Sequence, residues 1–297
     1  MTTTRANWTS LLTEGLRKIY DTTDKTQAKE YAKIFNMLTS NKYSETDFRM
    51  AGLGMAQDKT EGATITFADP TAGATKTLTH KTVALGFRIT KEMYEDDLYG
   101  PIRNMPKRLN NSIYNKVEYD ASALFADAFT GSTYTAWDAL SIVNSAHTSL
   151  AGANQSNQPA AMCDISATAL KNAMIALDSL KDDNGDPMPM TPSKLIVGPS
   201  DRLTATEILK TTGVPYSADN TVNVLNGEMA IINYHWLADT DAWFVLSSDH
   251  GLNFWWRVKP EFKELPDTNT DDAKYYGRAR YSFSCFAWRG IYGSSGA

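Results

Sequence analysis

The sequence predicts an α+β chain, and three stretches carry that expectation. From Pro101 to Phe129, Leu109, Ile113, Val117, Ala121, Leu124, Phe125 and Ala128 recur at three- and four-residue steps, so they share one apolar stripe of a long helix. Near the C-terminus, Leu252, Phe254, Trp256 and Val258 alternate with polar or half-polar neighbours, and a second alternation puts Tyr275, Ala279, Tyr281, Phe283 and Cys285 on one face. That is a long hairpin with one buried face. Between them, an amphipathic helix from Ser166 to Lys181 is followed by the apolar run Leu195-Ile196-Val197 and another helix, which is an α/β unit.

Residues 1–46 read as an arm: Thr9 or Ser10 caps a short helix through Tyr20, and a weaker helical signal runs through Tyr31, Ile34, Phe35 and Leu38. These patches are too short to fold alone, so they dock on their own chain or on a neighbour. In 47–90, Thr64 to Phe67 alternates, Asp69-Pro70-Thr71-Ala72-Gly73 signals a turn, and Lys76 to Val83 alternates again, continuing as strand from Ala84 to Ile89. This hairpin is rich in Thr and poor in large apolar residues. It either projects, with edges that need partners, or forms the edge of a sheet. The adjacent Asp96 and Asp97 point about 100° apart on a helix and do not converge on one atom.

In the central helix, Pro106 suits a first turn and Gly131 a stop. Roughly 25 residues at about 1.5 Å each give a rod of about 37 Å. Its opposite face carries Lys107, Asn111, Asn115, Glu118 and Ser122. The apolar face of the C-terminal hairpin needs a cover, and this helix is the natural one. Residues 131–165 are loop-like, with a polar linker from Gly152 to Pro159. Leu170, Ala173, Met174, Leu177 and Leu180 line the next helix; Ser200 or Asp201 caps the one ending at Lys210, and Gly213 closes it. Met229 to Ile232 and Trp243 to Leu246 are two more short buried strands.

At 297 residues the chain can bury a large core in one or two domains. A formal charge of −5 opposes tight, sequence-independent nucleic-acid binding. The two cysteines, Cys163 and Cys285, read as buried reduced thiols. No apolar run approaches a membrane span, and the N-terminus lacks a signal-peptide core, so a reducing cytoplasm is expected. Asp182, Asn184 and Asp186 have some of the spacing of a calcium loop, without its glycine and closing glutamate at the required offsets. The Gly198-Pro199-Ser200-Asp201 turn lacks the glycine pattern of a phosphate loop. None of His80, His147, His235 and His250 has metal-ligand spacing. His147, near Ser145, is the remaining nucleophile–base candidate, for a soluble hydrolase. No catalytic, cofactor or metal site is expected.

The order of these parts resembles the major capsid proteins of tailed bacteriophages with the Hong Kong 97-type fold, and looks closest to the Mu-like major head subunit group. The phrases that carry it are Leu85 to Thr90 followed by Asp96-Asp97; Ser145-Ala146-His147 with Asn157; and Leu195 to Pro199 with Ala205 and Ile208-Leu209. Ala242 to Leu246 and Trp288 to Gly293 complete them. The resemblance implies an N-arm (1–46), an extended E-loop hairpin (47–90), a P-domain (91–165 and 252–281) and an A-domain (166–251 and 282–297). The P-domain would have a spine helix over about 101–130 and a loop tip within 266–273. It further implies a non-enzymatic subunit that builds hexamers and pentamers of an icosahedral shell around double-stranded DNA. That DNA would be held without sequence-specific contacts, in a virion assembled in the bacterial cytoplasm, with no membrane. Scaffolding, portal and decoration proteins would be its partners; with no long helical N-terminal extension, scaffolding would be separate or absent. Inter-subunit contacts are expected at Asp69, Thr71, Lys76, Lys81, Arg88, Asp267, Asn269, Asp271, Arg278 and Arg280. No covalent crosslink is expected from Lys76 or Lys81. An encapsulin-type shell around a cargo enzyme is the alternative on the same fold.

Overall fold

A computed structural model describes residues 6–90, 92–93, 96, 99–150, 153–213, 222–266 and 273–297. The chain divides into two compact units, one of residues 1–44, 79–121 and 254–283, the other of 45–78, 122–253 and 284–297.

The first unit is built on a four-stranded sheet of order β1-β8-β9-β4, with β1 Asn36–Thr39, β4 Lys81–Ile89, β8 Leu252–Pro266 and β9 Ala273–Cys285. Strands β4 and β9 are antiparallel, from Lys81 opposite Tyr281 to Ile89 opposite Ala273. The predicted alternation holds along β9 from Ala273 to Tyr281, with Tyr275 and Ala279 buried; from Tyr281 to Cys285 every residue is buried, Ser282 and Ser284 included. Helix α3, Tyr99–Ala126, covers this face as expected, with Ile102, Leu109, Ile113, Val117 and Ala121 buried. Contact is close because Gly277 has no side chain: a Cβ there would clash with Ile113 Cδ1. Stacked rings fill the rest, Phe254 on Tyr281 at 5.6 Å and Phe262 on Tyr275 at 5.4 Å.

Four expectations change here. Helix α1 runs Ala6–Thr26, so Thr9 and Ser10 lie inside it rather than at its start. Its Leu16 and Tyr20 are buried in their own unit, as are Tyr31 and Ile34 of the four-residue α2, Tyr31–Ile34. Beyond Ile34 the backbone turns extended at Phe35 (φ −88°, ψ 149°), and Leu38 belongs to β1, not to a helix. Pro106 lies in the interior of α3, because the helix starts at Tyr99; its ring nitrogen leaves the Ile102 carbonyl without its usual donor. The polar face of α3 is not all solvated: Glu118 and Ser122 are buried. Glu118 accepts the backbone N–H of Glu30 at 2.7 Å and of Tyr31 at 3.2 Å, satisfying the N-terminus of α2.

The second unit holds a sheet of order β10-β7-β5-β6, with β5 Pro192–Val197, β6 Ala230–Asn233, β7 Trp243–Ser247 and β10 Ile291–Ser294. Strand β5 is parallel to β6 and antiparallel to β7, which is antiparallel to β10. Helices α4, Ala167–Asp178, and α5, Arg202–Lys210, contribute Leu170, Ala173, Leu177, Ala205 and Leu209 to its core, together with Leu195, Val197, Trp243 and Val245. The helix expected from Ser166 starts there, with Ser166 as its cap accepting from Ala169 N at 3.1 Å, and ends at Asp178 rather than Lys181; Asp201 precedes α5 without a side-chain cap. Cys163 and Cys285 are free thiols, and burial pushes Cys285 far above its ordinary value.

The predicted hairpin of 47–90 forms differently. Its first strand is β2, Ser44–Met50, paired with β3, Ala72–Thr79; Thr64 to Phe67 is not a strand. The connection spans 51–71 rather than turning at Asp69–Gly73, and β4 leaves the hairpin to join the first unit's sheet. The alternation of 64–67 is genuine but has no partner strand among the described residues. The charged run Ser44-Glu45-Thr46-Asp47 hides β2, whose Arg49 is buried by an ion pair.

Candidate functional site

The strands β2 and β3 and their connection form an arm, residues 44–79, held at its root and bare beyond. At the root, Arg49 is buried on β2: its Nε donates to Asp183 Oδ2 at 3.0 Å, one Nη2 bond reaches Asp183 Oδ1, and Nη2 also donates to the Thr148 carbonyl at 3.0 Å. Arg289 Nη2 shares Asp183 Oδ1 at 2.8 Å, and its Nε donates to the Lys181 carbonyl at 2.9 Å. Burial alone would raise the Asp183 carboxyl, but hydrogen bonds and charge from Arg49 and Arg289 hold it below the ordinary range. Asn184 Nδ2 donates to the Gly52 carbonyl at 2.9 Å. On β3, Lys76 Nζ donates to the Thr135 carbonyl at 2.8 Å and to Thr135 Oγ1. Gly73 lets β3 close on Arg49: a Cβ there would sit 3.2 Å from the Arg49 carbonyl oxygen.

Past the root, apolar side chains stand in the open. Leu53 is 64% exposed, Met55 71%, Ile65 60% and Phe67 88%. Four large apolar residues on one short segment are a patch that calls for a cover.

The loop-like stretch of 127–157 is pinned from inside. Asp127 Oδ1 accepts from Thr130 Oγ1, Ser132 N and Ser132 Oγ at 2.6–2.8 Å, and Oδ2 accepts from Thr133 N and Tyr134 N at 2.7 Å. Burial opposes the charge, yet these five bonds hold the carboxyl well below the usual range. Asn157 is buried; its Nδ2 donates to the Ile142 and Ile291 carbonyls at 2.8 and 3.1 Å, and its Oδ1 accepts from Asn144 N at 2.8 Å. His147 is fully enclosed, with Nδ1 2.7 Å from Asp138 Oδ2, Nε2 3.2 Å from the Ile142 carbonyl, and its ring stacked on Trp288 at 4.2 Å. Among the described residues no serine hydroxyl is bonded to that ring. A fully enclosed base with both nitrogens engaged suits a structural pin, not a general base. Asp182 Oδ1 accepts from Asn184 N and Asp186 N at 2.8 and 2.9 Å, closing the acidic loop on itself. Among the described residues no three His, Cys, Asp or Glu side chains are grouped to hold a metal.

The predicted contact residues separate into two sets. Asp69 and Thr71 are exposed in the arm, where the Thr71 carbonyl accepts from Ala51 N at 2.9 Å, and Lys76 sits at its root. Lys81, Arg88, Arg278 and Arg280 lie on the paired strands β4 and β9 of the first unit's sheet, where Thr82 faces Arg280 and Ala84 faces Arg278, while Arg88 lies farther along, opposite Lys274. Lys81 Nζ lies 2.8 Å from Asp120 Oδ2, and Arg278 Nη2 lies 2.8 Å from Glu261 Oε1. Arg88 lines a depression of about 320 Å³ with Phe87, Leu265, Lys274, Tyr275 and Tyr276. The Nε of Arg280 is buried without a hydrogen-bond partner among the described residues. Asp267, Asn269 and Asp271, with Asp97, lie outside the described residues. Arg49, Asp183 and Asp127 escaped sequence reasoning. The Arg49–Asp183 pair is separated by 134 positions and has no local signature. The donor-rich Thr130-Gly131-Ser132-Thr133 after Asp127 was the one readable signal.

The phage capsid protein family matches residues 48–294, nearly the whole chain. The chain belongs to that family. No curated protein matches the capsid protein. Among solved structures, the capsid of a native GTA particle shares 14% identity over 91% of each chain, with a TM-score of 0.57. A structure from Microbacterium phage Oxtober96 shares 13% over 89% of each chain (TM-score 0.52). The holo-SrpI encapsulin complex of Synechococcus elongatus shares 9%, covering 92% of this chain and 89% of the other (TM-score 0.54). The capsid protein has the Hong Kong 97-type fold and is a structural, shell-forming subunit.

Proposed function

We propose that the protein is the major head subunit of a tailed phage. It assembles through hexamers and pentamers into an icosahedral shell around double-stranded DNA, in the bacterial cytoplasm. The observation that carries the mechanism is the bare apolar strip of the arm. Burying a side chain such as Phe67 or Leu53 contributes about 1.5–3 kcal/mol. A single arm is therefore a modest contact, but each subunit both gives and receives one, and repetition around a closed shell makes the assembly stable. In this reading residues 1–46 are the N-arm, 47–90 the extended loop, 91–165 with 252–281 the P-domain, and 166–251 with 282–297 the A-domain. Asp69, Thr71, Arg88 and Arg280 are contact residues, as are the loop-tip residues Asp267, Asn269 and Asp271. Lys76, Lys81 and Arg278 combine that role with the contacts they make in their own chain. Net acidity suits a container that encloses DNA without gripping it.

The test replaces residues 53–67 by a short glycine linker, leaving β2 and β3 intact. The subunit is expected to keep its circular dichroism and melting temperature and to lose shell formation on negative-stain grids. Wild-type shells from this variant would contradict the arm's role. The likeness to the SrpI encapsulin supports a second reading, a shell around a cargo enzyme. Particles from the native source carrying DNA favour the first reading, and particles carrying a co-purifying enzyme the second.

A further inference from the structure

The bare strip of the arm, residues 53–67, makes its contacts only if its root points it. We infer that Arg49, Asp183 and Lys76 are positioning residues that aim the arm, an inference that rests on the arm being an assembly contact. Both strands of the root are fixed to the same unit by charge-assisted bonds. On β2, the Arg49 guanidinium engages both Asp183 oxygens and the Thr148 carbonyl, and the Gly52 carbonyl takes the Asn184 amide. On β3, the Lys76 ammonium is held by Thr135.

The distribution of burial shows where this hold ends. Arg49 and Ala51 are buried, whereas residues 52–72 are exposed throughout. The core of β2 is therefore supplied by an ion pair and a small residue, not by large apolar side chains: Phe48 and Met50, on either side of Arg49, are themselves exposed. A strand without an apolar anchor keeps its direction through directional bonds, and a two-point guanidinium–carboxylate contact fixes orientation as well as distance. Asp183 carries two arginines, so losing its charge leaves both unpaired in a buried place and affects the root more than removal of any one partner bond.

Hydrogen exchange on the unassembled subunit, combined with shell yield, tests this. In Asp183→Asn, amides of 46–50 and 72–78 are expected to exchange at least about a hundredfold faster, with those of β5 and β7 unchanged, and shell yield to collapse. Unchanged exchange at the root would overturn the clamp. Faster exchange with wild-type shells would overturn its positioning role and leave it merely structural. Should Asp183→Asn fail to fold, Lys76→Met, which keeps the aliphatic stem and removes the charge, is judged by the same two outcomes. The 53–67 replacement separates the underlying reading: it is expected to abolish shells with root exchange unaltered. If that replacement still assembles, the arm is not an assembly contact, whatever the clamp does.

Discussion

His250 is buried, and its Nδ1 accepts from Leu252 N at 3.3 Å, so it folds as a neutral imidazole. Burial, and then the charge of Lys194, push it down to about 4 from an ordinary 6.5, against a smaller opposing pull from Asp249. The unfolded chain takes up this proton first, so the folded state loses stability as pH falls from 6.5 to about 4. The loss amounts to about 3 kcal/mol. The carboxyls of Asp120, Asp127, Asp138 and Asp183 act in a lower window. Each is depressed in the folded state, so its contribution is complete above the unfolded value of 3.8 and is lost as pH falls below it. Melting temperatures measured from pH 7 to pH 4 should therefore fall less steeply in His250→Gln than in the wild type; equal slopes would contradict the assignment. Such buried polar groups were the least legible part of the sequence. Nothing local marks Asp183 as the partner of Arg49, or His250 as a neutral core residue, because their partners arrive through the fold.

Among elements, α3 and the long strands β8 and β9 were legible because apolar side chains line one face of each, which imprints a period of 3.6 or 2 on the chain. The arm was only half legible. A strand that buries no large apolar side chain carries no alternation to fix its register, so pairing of 44–50 with 72–79 had no hydrophobic signal. The fit of α3 to β9 gives a direct prediction. Ile113→Ala, at a position 1% exposed, should cost about 2–5 kcal/mol in urea unfolding. Gly277→Ala should also destabilise, because its new methyl would meet Ile113 Cδ1. Ile113→Val removes that carbon, so the Gly277→Ala cost should shrink in the Ile113→Val background. Additive effects of the two substitutions would place the clash elsewhere.

At the scale of the whole molecule, family membership and fold agree with a chain whose described chemistry is turned inward. Its histidine–carboxylate pair is buried as a pin, its acidic loop is closed by its own backbone, and its arm carries a strip of exposed apolar side chains, Leu53, Met55, Ile65 and Phe67. Geometry repeated between copies is what a shell-forming subunit supplies. Negative-stain microscopy of the purified wild-type protein at high concentration tests that claim most directly. Closed shells of uniform diameter are the expected result, and a protein that stays monomeric at every concentration would contradict it.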